Sequence, residues 1–243
     1  MAQVMIREVH IGDQALQYSF EQKQVKNLNL RVRKDCSVYV SANPSVPLQQ
    51  VDEFVISKME FIRSAQEKFR KMEEYAPAPK QFISGESFYI LGRELRLRVE
   101  KASKEEIYSD GVYLFLHVKD TDNFARKQRL ATKFLDYQCM RTFEEIMDKI
   151  YPIFQKYGVP FPKLRIRNME TRWGSCLPRK GIITLNKRLL EVPMNCIEYV
   201  IMHEFCHFLH PDHSKKFYAF LSMLMPDWKD RKAVLEKSAF YGL

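Results

Sequence analysis

Residues 194–209, MNCIEYVIMHEFCHFL, constrain this chain more than any other stretch. The segment is apolar on most sides of a helical repeat, so it belongs in the interior of a domain, where each polar side chain needs a partner. His203, Glu204 and His207 are the groups with that need. Two histidines four residues apart share one helix face and can hold one ion between them. The arrangement is HExxH, a zinc pattern in which the histidines are ligands and the glutamate is the general base.

A catalytic zinc takes three protein ligands and keeps a position open for water. His210 lies on the same stripe, but at ~1.5 Å rise per residue it sits roughly 7 Å along the axis from a metal midway between His203 and His207. Pro211 also disfavours helical geometry at His210, so the helix is expected to stop there. A turn through Pro211 and Asp212 then brings His213 back to the metal. The alternative third ligands are Asp227, Asp230 and Glu236 from farther along the chain. The spacing from His203 to His213 equals that of HExxHxxGxxH, although His210 stands at the glycine position. Beyond it, Phe217, Phe220, Leu221 and Leu224 have helical spacing and should pack beneath the site, with Asp212 or Ser214 as the helix cap.

The preceding strands frame this centre. KLRIRNM (163–169), TRWGSC (171–176) and GIITLN (181–186) read as short strands leading into the histidine helix. A strand in that place borders the cleft, and its free edge can pair with an extended substrate. Arg172, Trp173 and Ser175 are the candidate substrate-binding residues. The Arg172 fork suits a carboxylate or a phosphate. Trp173 is either a cleft wall or a packing residue, and Cys176 reads as a small buried side chain.

The overall class is α+β. RVRKDCSVYVSA (31–42) alternates as a strand, and VDEFVISKMEFIRSAQEKFRKMEEY after Pro47 carries the apolar spacing of one long helix. SFYILGRELRLRVE (87–100) reads as a hairpin turning at Gly92, and GVYLFLHV (111–118) as a buried strand. Asp122 or Asn123 should cap a helix running to about Tyr157, with Pro152 as a possible interruption. The expected division is a strand-rich region, 1–122, and a metal-binding domain, 123–243. No internal repeat is visible. His10 and His117 read as strand residues rather than ligands.

Composition sets the outer bounds. No stretch approaches the ~20 apolar residues that span a bilayer, and the start lacks a signal-like pattern, so a cytoplasmic protein without membrane partners is expected. Five scattered cysteines without CxxC spacing fit a reducing compartment. The formal charge of +9 and basic clusters such as ARKQR (125–129) and KLRIR read first as a solvated basic surface, and they leave room for nucleic acid or a smaller polyanion.

The pair TRWGSC…GIITLN followed by HEFCHFLHPDHSKKF, together with LNLRVRKDCSVYVSANPSVPLQQVDEFVISKMEFI (28–62), resembles the YgjP-like metal-dependent hydrolases, relatives of the SprT and WLM zinc peptidase-like proteins. The resemblance implies a compact zincin-like domain made of a helix, a small sheet, the HExxH helix and a final helix. It places the ligands on His203, His207 and His213 and the base on Glu204. The implied chemistry is zinc-dependent hydrolysis with metal-activated water, acting first on peptides. A nucleoside triphosphate (UTP) pyrophosphatase is the alternative substrate class, and a zinc-stabilised DNA-binding or interaction module the alternative function.

Overall fold

The computed structural model describes residues 4–12, 14–74 and 79–240. They form two compact units, divided between residues 74 and 79.

In the first unit, β1 (Val4–Ile11) and β2 (Gln14–Gln22) form an antiparallel hairpin, and β3 (Asn29–Val32) and β4 (Val38–Ala42) form another. The hairpins join through parallel pairing of β2 with β4, giving the order β1-β2-β4-β3. The segment expected as a single strand, 31–42, is thus two strands. Cys36 takes a φ of 63°, and the Asp35 carboxylate accepts from the Ser37 N–H, which closes the turn. Helices α1 (Leu48–Ser57) and α2 (Met59–Glu74) follow, and the helical run after Pro47 is divided at Lys58. Near the break the Ser57 hydroxyl donates to the Phe54 carbonyl at 2.7 Å, an alternative to continuing the helical ladder. Val51, Val55 and Ile62 cover Tyr18, Phe20, Val38 and Val40 in one core. At its edge the half-buried Asp52 accepts from Arg7 and from the Tyr18 hydroxyl.

The second unit opens with the same topology. Strands β5 (Ser87–Ile90), β6 (Arg93–Lys101), β7 (Glu106–Ser109) and β8 (Tyr113–Val118) lie in the order β5-β6-β8-β7, again two antiparallel hairpins joined by a parallel central pair. As expected, the first hairpin turns at Leu91–Gly92, both at positive φ. A Cβ on Gly92 would lie 2.9 Å from the Pro193 ring, so glycine serves both the turn and the close approach.

Helix α3 (Phe124–Gln155) is capped by Asn123, whose side chain accepts from the Arg126 N–H at 2.9 Å, and it continues through Pro152. Its first half, around Leu130, Ala131 and Phe134, packs on the β5–β8 sheet. Its second half supplies Phe143, Ile146, Met147, Ile150 and Phe154 to the largest core. The position near 122 where strands give way to helices is the β8–α3 connection, inside this second unit.

A three-stranded sheet follows, ordered β10-β11-β9, from β9 (Lys163–Arg167), β10 (Gly174–Leu177) and β11 (Ile182–Asn186). All five residues of β11 are buried between its neighbours, and β10 is an edge strand. Helix α4 (Met194–Cys206) lies in the core beside β10, and α5 (Lys215–Leu224) and α6 (Trp228–Phe240) close the unit. Among the described residues no helix is long and apolar enough to cross a membrane.

Candidate metal centre

Helix α4 ends at Cys206, one turn earlier than its apolar run suggests, and His207 is its C-cap. The chain then turns, with the His210 N–H donating to the Cys206 carbonyl. Residues 211–214 bring His213 back over α4. The ligand nitrogens of His203, His207 and His213 lie within 4.8 Å of one another. His203 Nε2 and His213 Nε2 face each other at 2.9 Å. His207 Nδ1 meets the His210 carbonyl at 3.2 Å, which makes Nδ1 the donor and leaves Nε2 with a free lone pair. His210 thus contributes its backbone, while its ring packs against Phe220. Phe217 on α5 touches all three imidazoles, with ring centroids 4.8–4.9 Å away, and floors the site.

Burial and its two histidine neighbours hold the His203 imidazole down at about 3, and burial also lowers His207. Both are therefore neutral near pH 7, as ligands must be. Three imidazoles converging on one point fit a divalent transition metal such as zinc.

The alternative third ligands stand outside the triad. Asp227 accepts from Arg231 Nε at 2.8 Å, and Arg231 also donates to Glu198 on α4 at 2.6 Å, tying α6 to α4. Glu236 lines the cavity wall and pairs with Lys232 at 3.6 Å. Asp230 stands in the first turn of α6, outside the triad. His10, on β1, pairs with Glu8, and His117, on β8, lies between Glu100 and Glu106, so neither joins the triad.

Glu204 is 5% exposed, and its Oε2 has no hydrogen-bond partner. Burial pushes its carboxyl up to about 8, partly offset by the positive charge of Arg172. Such a carboxyl exchanges protons readily near neutral pH. Gly174, at the start of β10, lets the two meet: a Cβ there would lie 2.6 Å from Glu204 Oε1.

The triad and Glu204 open into a cavity of about 470 Å³. Arg172, Trp173, Ser175 and Cys176 line it from the β10 side, and Tyr199, Lys232, Leu235 and Glu236 from the helices. Trp173 is both wall and packing residue, since it also rests on the main core with the Arg188 guanidinium over its ring at 5.7 Å. Burial and the Glu204 charge push the Cys176 thiol up to about 12, so it carries no thiolate at neutral pH.

Sequence reasoning missed Asn186. This side chain, 3% exposed, donates to the carbonyls of Met169 at 2.8 Å and Arg172 at 3.0 Å, and its backbone N–H donates to Trp173. It pins the loop that presents Arg172 and Trp173. The available signal was an asparagine ending an otherwise apolar strand, GIITLN. Of the α6 wall only Glu236 was singled out, as an alternative ligand; Lys232 and Leu235 were missed, although the three have i, i+3, i+4 spacing.

A histidine triad on a buried HExxH helix, with a carboxylate between the metal position and an edge strand, defines a metal-dependent, peptidase-like hydrolase domain. Residues 26–238 match the YgjP-like family, described as a YgjP-like metallopeptidase domain, and the chain belongs to that family. No curated protein matches it.

Proposed function

We propose that the protein is a zinc-dependent metallopeptidase held by His203, His207 and His213, with Glu204 as general base. The observation that carries this reading is the buried, unpartnered Oε2 of Glu204, set beside three converging imidazoles in one cavity. A bound zinc ion supplies Lewis-acid polarisation of the substrate carbonyl and acidifies water at the site. Glu204 accepts a proton from the attacking water and returns it to the leaving nitrogen. The outer edge of β10 offers main-chain groups to an extended peptide, and Ser175 adds a hydroxyl. Arg172 is exposed at the cavity rim, with no ion-pair partner among the described residues, and receives an anionic group of the substrate. The five free cysteines fit a cytoplasmic setting.

The test is a hydrolysis screen of the zinc-loaded protein over peptides and nucleoside triphosphates, with Glu204→Gln as control. Peptide cleavage that disappears in Glu204→Gln supports the proposal. UTP cleavage without peptide cleavage moves the function to a pyrophosphatase, for which the unpaired Arg172 is the supporting feature. Salt-dependent DNA binding without hydrolysis replaces the enzyme with a binding module.

A further inference from the structure

Tyr199 lies on α4 one turn before His203, on the stripe that carries His203 and His207. It is 7% exposed and lines the metal cavity. Its ring meets His203 edge-on at 5.9 Å, and its other side stacks on Trp228 at 6.3 Å with an interplanar angle of 14°. Trp228 is fixed in turn: its Nε1–H donates to Ser222 at 2.8 Å, and it stacks on Tyr218, which stacks against His213. The phenol is therefore held between the His203 imidazole and the Trp228 ring, in a run of stacked rings that ends at His213.

Its hydroxyl has no hydrogen-bond partner among the described residues. Among the described residues the polar side-chain atoms that are both enclosed and unpartnered are His203 Nδ1 and Glu204 Oε2, so the Tyr199 hydroxyl is not enclosed and opens on the cavity its residue lines. Lys232 and Glu236 on the same wall pair with each other. A buried tyrosine ordinarily finds a partner for its O–H, and with none among the described residues this one is available to a ligand in the cavity.

We propose that Tyr199 is a catalytic residue whose O–H donates a hydrogen bond to the substrate oxygen that becomes negative during hydrolysis. For the reaction this rests on the hydrolase reading above; for oxyanion binding it rests on the cavity alone. The water oxygen bonds to the carbonyl carbon, the C=O π pair moves onto the carbonyl oxygen, and the water proton goes to Glu204. When the C–N bond breaks, its electron pair leaves with the nitrogen, which takes the proton from Glu204, and C=O reforms. Tyr199 keeps its own proton throughout, as an ordinary phenol does near pH 7. A preorganised donor of this kind contributes most where the charge develops.

The experiment compares wild type, Tyr199→Phe and Tyr199→Leu in the zinc-loaded protein. The readouts are zinc content, thermal unfolding, calorimetric affinity for an alanine-based phosphinic dipeptide that mimics the tetrahedral oxyanion, and peptide turnover. Tyr199→Phe keeps the ring stack, so zinc content and melting temperature should match wild type. Phosphinate affinity should fall about 10–100-fold, the range for a hydrogen bond to a charged group. kcat should fall about 10²–10³-fold with KM little changed. Tyr199→Leu should lose the stack and destabilise the metal site as well. If wild type cleaves no peptide yet Tyr199→Phe weakens phosphinate binding, the peptidase reading fails and the donor stands. The assignment is overturned by unchanged phosphinate affinity in Tyr199→Phe, by zinc loss in that variant, or by a wild type that does not bind the phosphinate.

Discussion

Gly174→Ala probes how closely β10 and the HExxH helix are fitted. The added Cβ would lie 2.6 Å from Glu204 Oε1 and 2.9 Å from its Cδ and Cγ, whereas ordinary contact begins at 3.4 Å, so the carboxylate must move by roughly 0.8 Å. On a surface a glutamate would swing aside at little cost. Glu204 is enclosed, so the displacement is shared between the carboxylate and β10. Overpacking of this kind costs about 1–3 kcal/mol, which a domain with so large a core should survive. A shift of about 1 Å in a catalytic group costs about 10²-fold in rate. Gly174→Ala should therefore fold, bind zinc through its unaltered histidines, and lose about 10²-fold in peptide hydrolysis. Gly181→Ala is the control. Its φ of 60° strains alanine, but nothing lies within 4 Å of the new Cβ, so it should lower the melting temperature without touching the rate. Full activity in a folded, zinc-loaded Gly174→Ala protein would refute the tight Gly174–Glu204 contact as a catalytic requirement.

The convergence of the three histidines was legible because it follows local rules. Four-residue spacing puts His203 and His207 on one face, and Pro211 forces the turn that returns His213. Residues 87–100 were legible for the same reason, since Leu91–Gly92 has the chemistry of a two-residue hairpin turn. What stayed hidden depends on contacts distant in sequence. Asn186 orders the 169–173 loop through hydrogen bonds spanning 14 and 17 residues, which no periodicity records. The Asp35–Ser37 turn broke an alternating pattern that otherwise reads as one strand, because period-2 alternation continues on both arms of a hairpin. The repeated order of β1-β2-β4-β3 and β5-β6-β8-β7 is invisible for a further reason. Topology records which strands pair, while the side chains on each sheet suit their own cores.

His203→Ala, His207→Ala and His213→Ala should each lose most of the bound zinc by metal analysis, while His210→Ala should keep it, because only the His210 backbone serves the site. Asn186→Ala should leave two carbonyls of the cleft loop unpaired, cost about 2–4 kcal/mol in urea unfolding, and raise KM through a displaced Arg172; unchanged stability would mean that the loop holds itself. The last prediction concerns the first unit and pH. Asp52 accepts from Arg7 Nη2 at 2.6 Å and from the Tyr18 hydroxyl at 2.5 Å. The Arg7 hydrogen bond is the main cause that holds its carboxyl below the usual range, against the opposing pull of burial. A carboxylate whose pKa is lower folded than unfolded adds stability above the unfolded value of about 3.9, and that stability is lost as pH falls through it towards the folded value. Asp52→Asn removes the charge and retains the shape. Hydrogen-exchange protection of the β2 and β4 amides should therefore differ between wild type and Asp52→Asn by about 1–2 kcal/mol at pH 7, a range reduced for partial exposure. The gap should shrink steadily as pH falls below about 4, where the unfolded chain takes up the proton first and folded Asp52 follows at lower pH. A gap of the same size at pH 7 and pH 2 would show that shape and packing at residue 52, rather than its charge on Arg7, hold the two layers of this unit together.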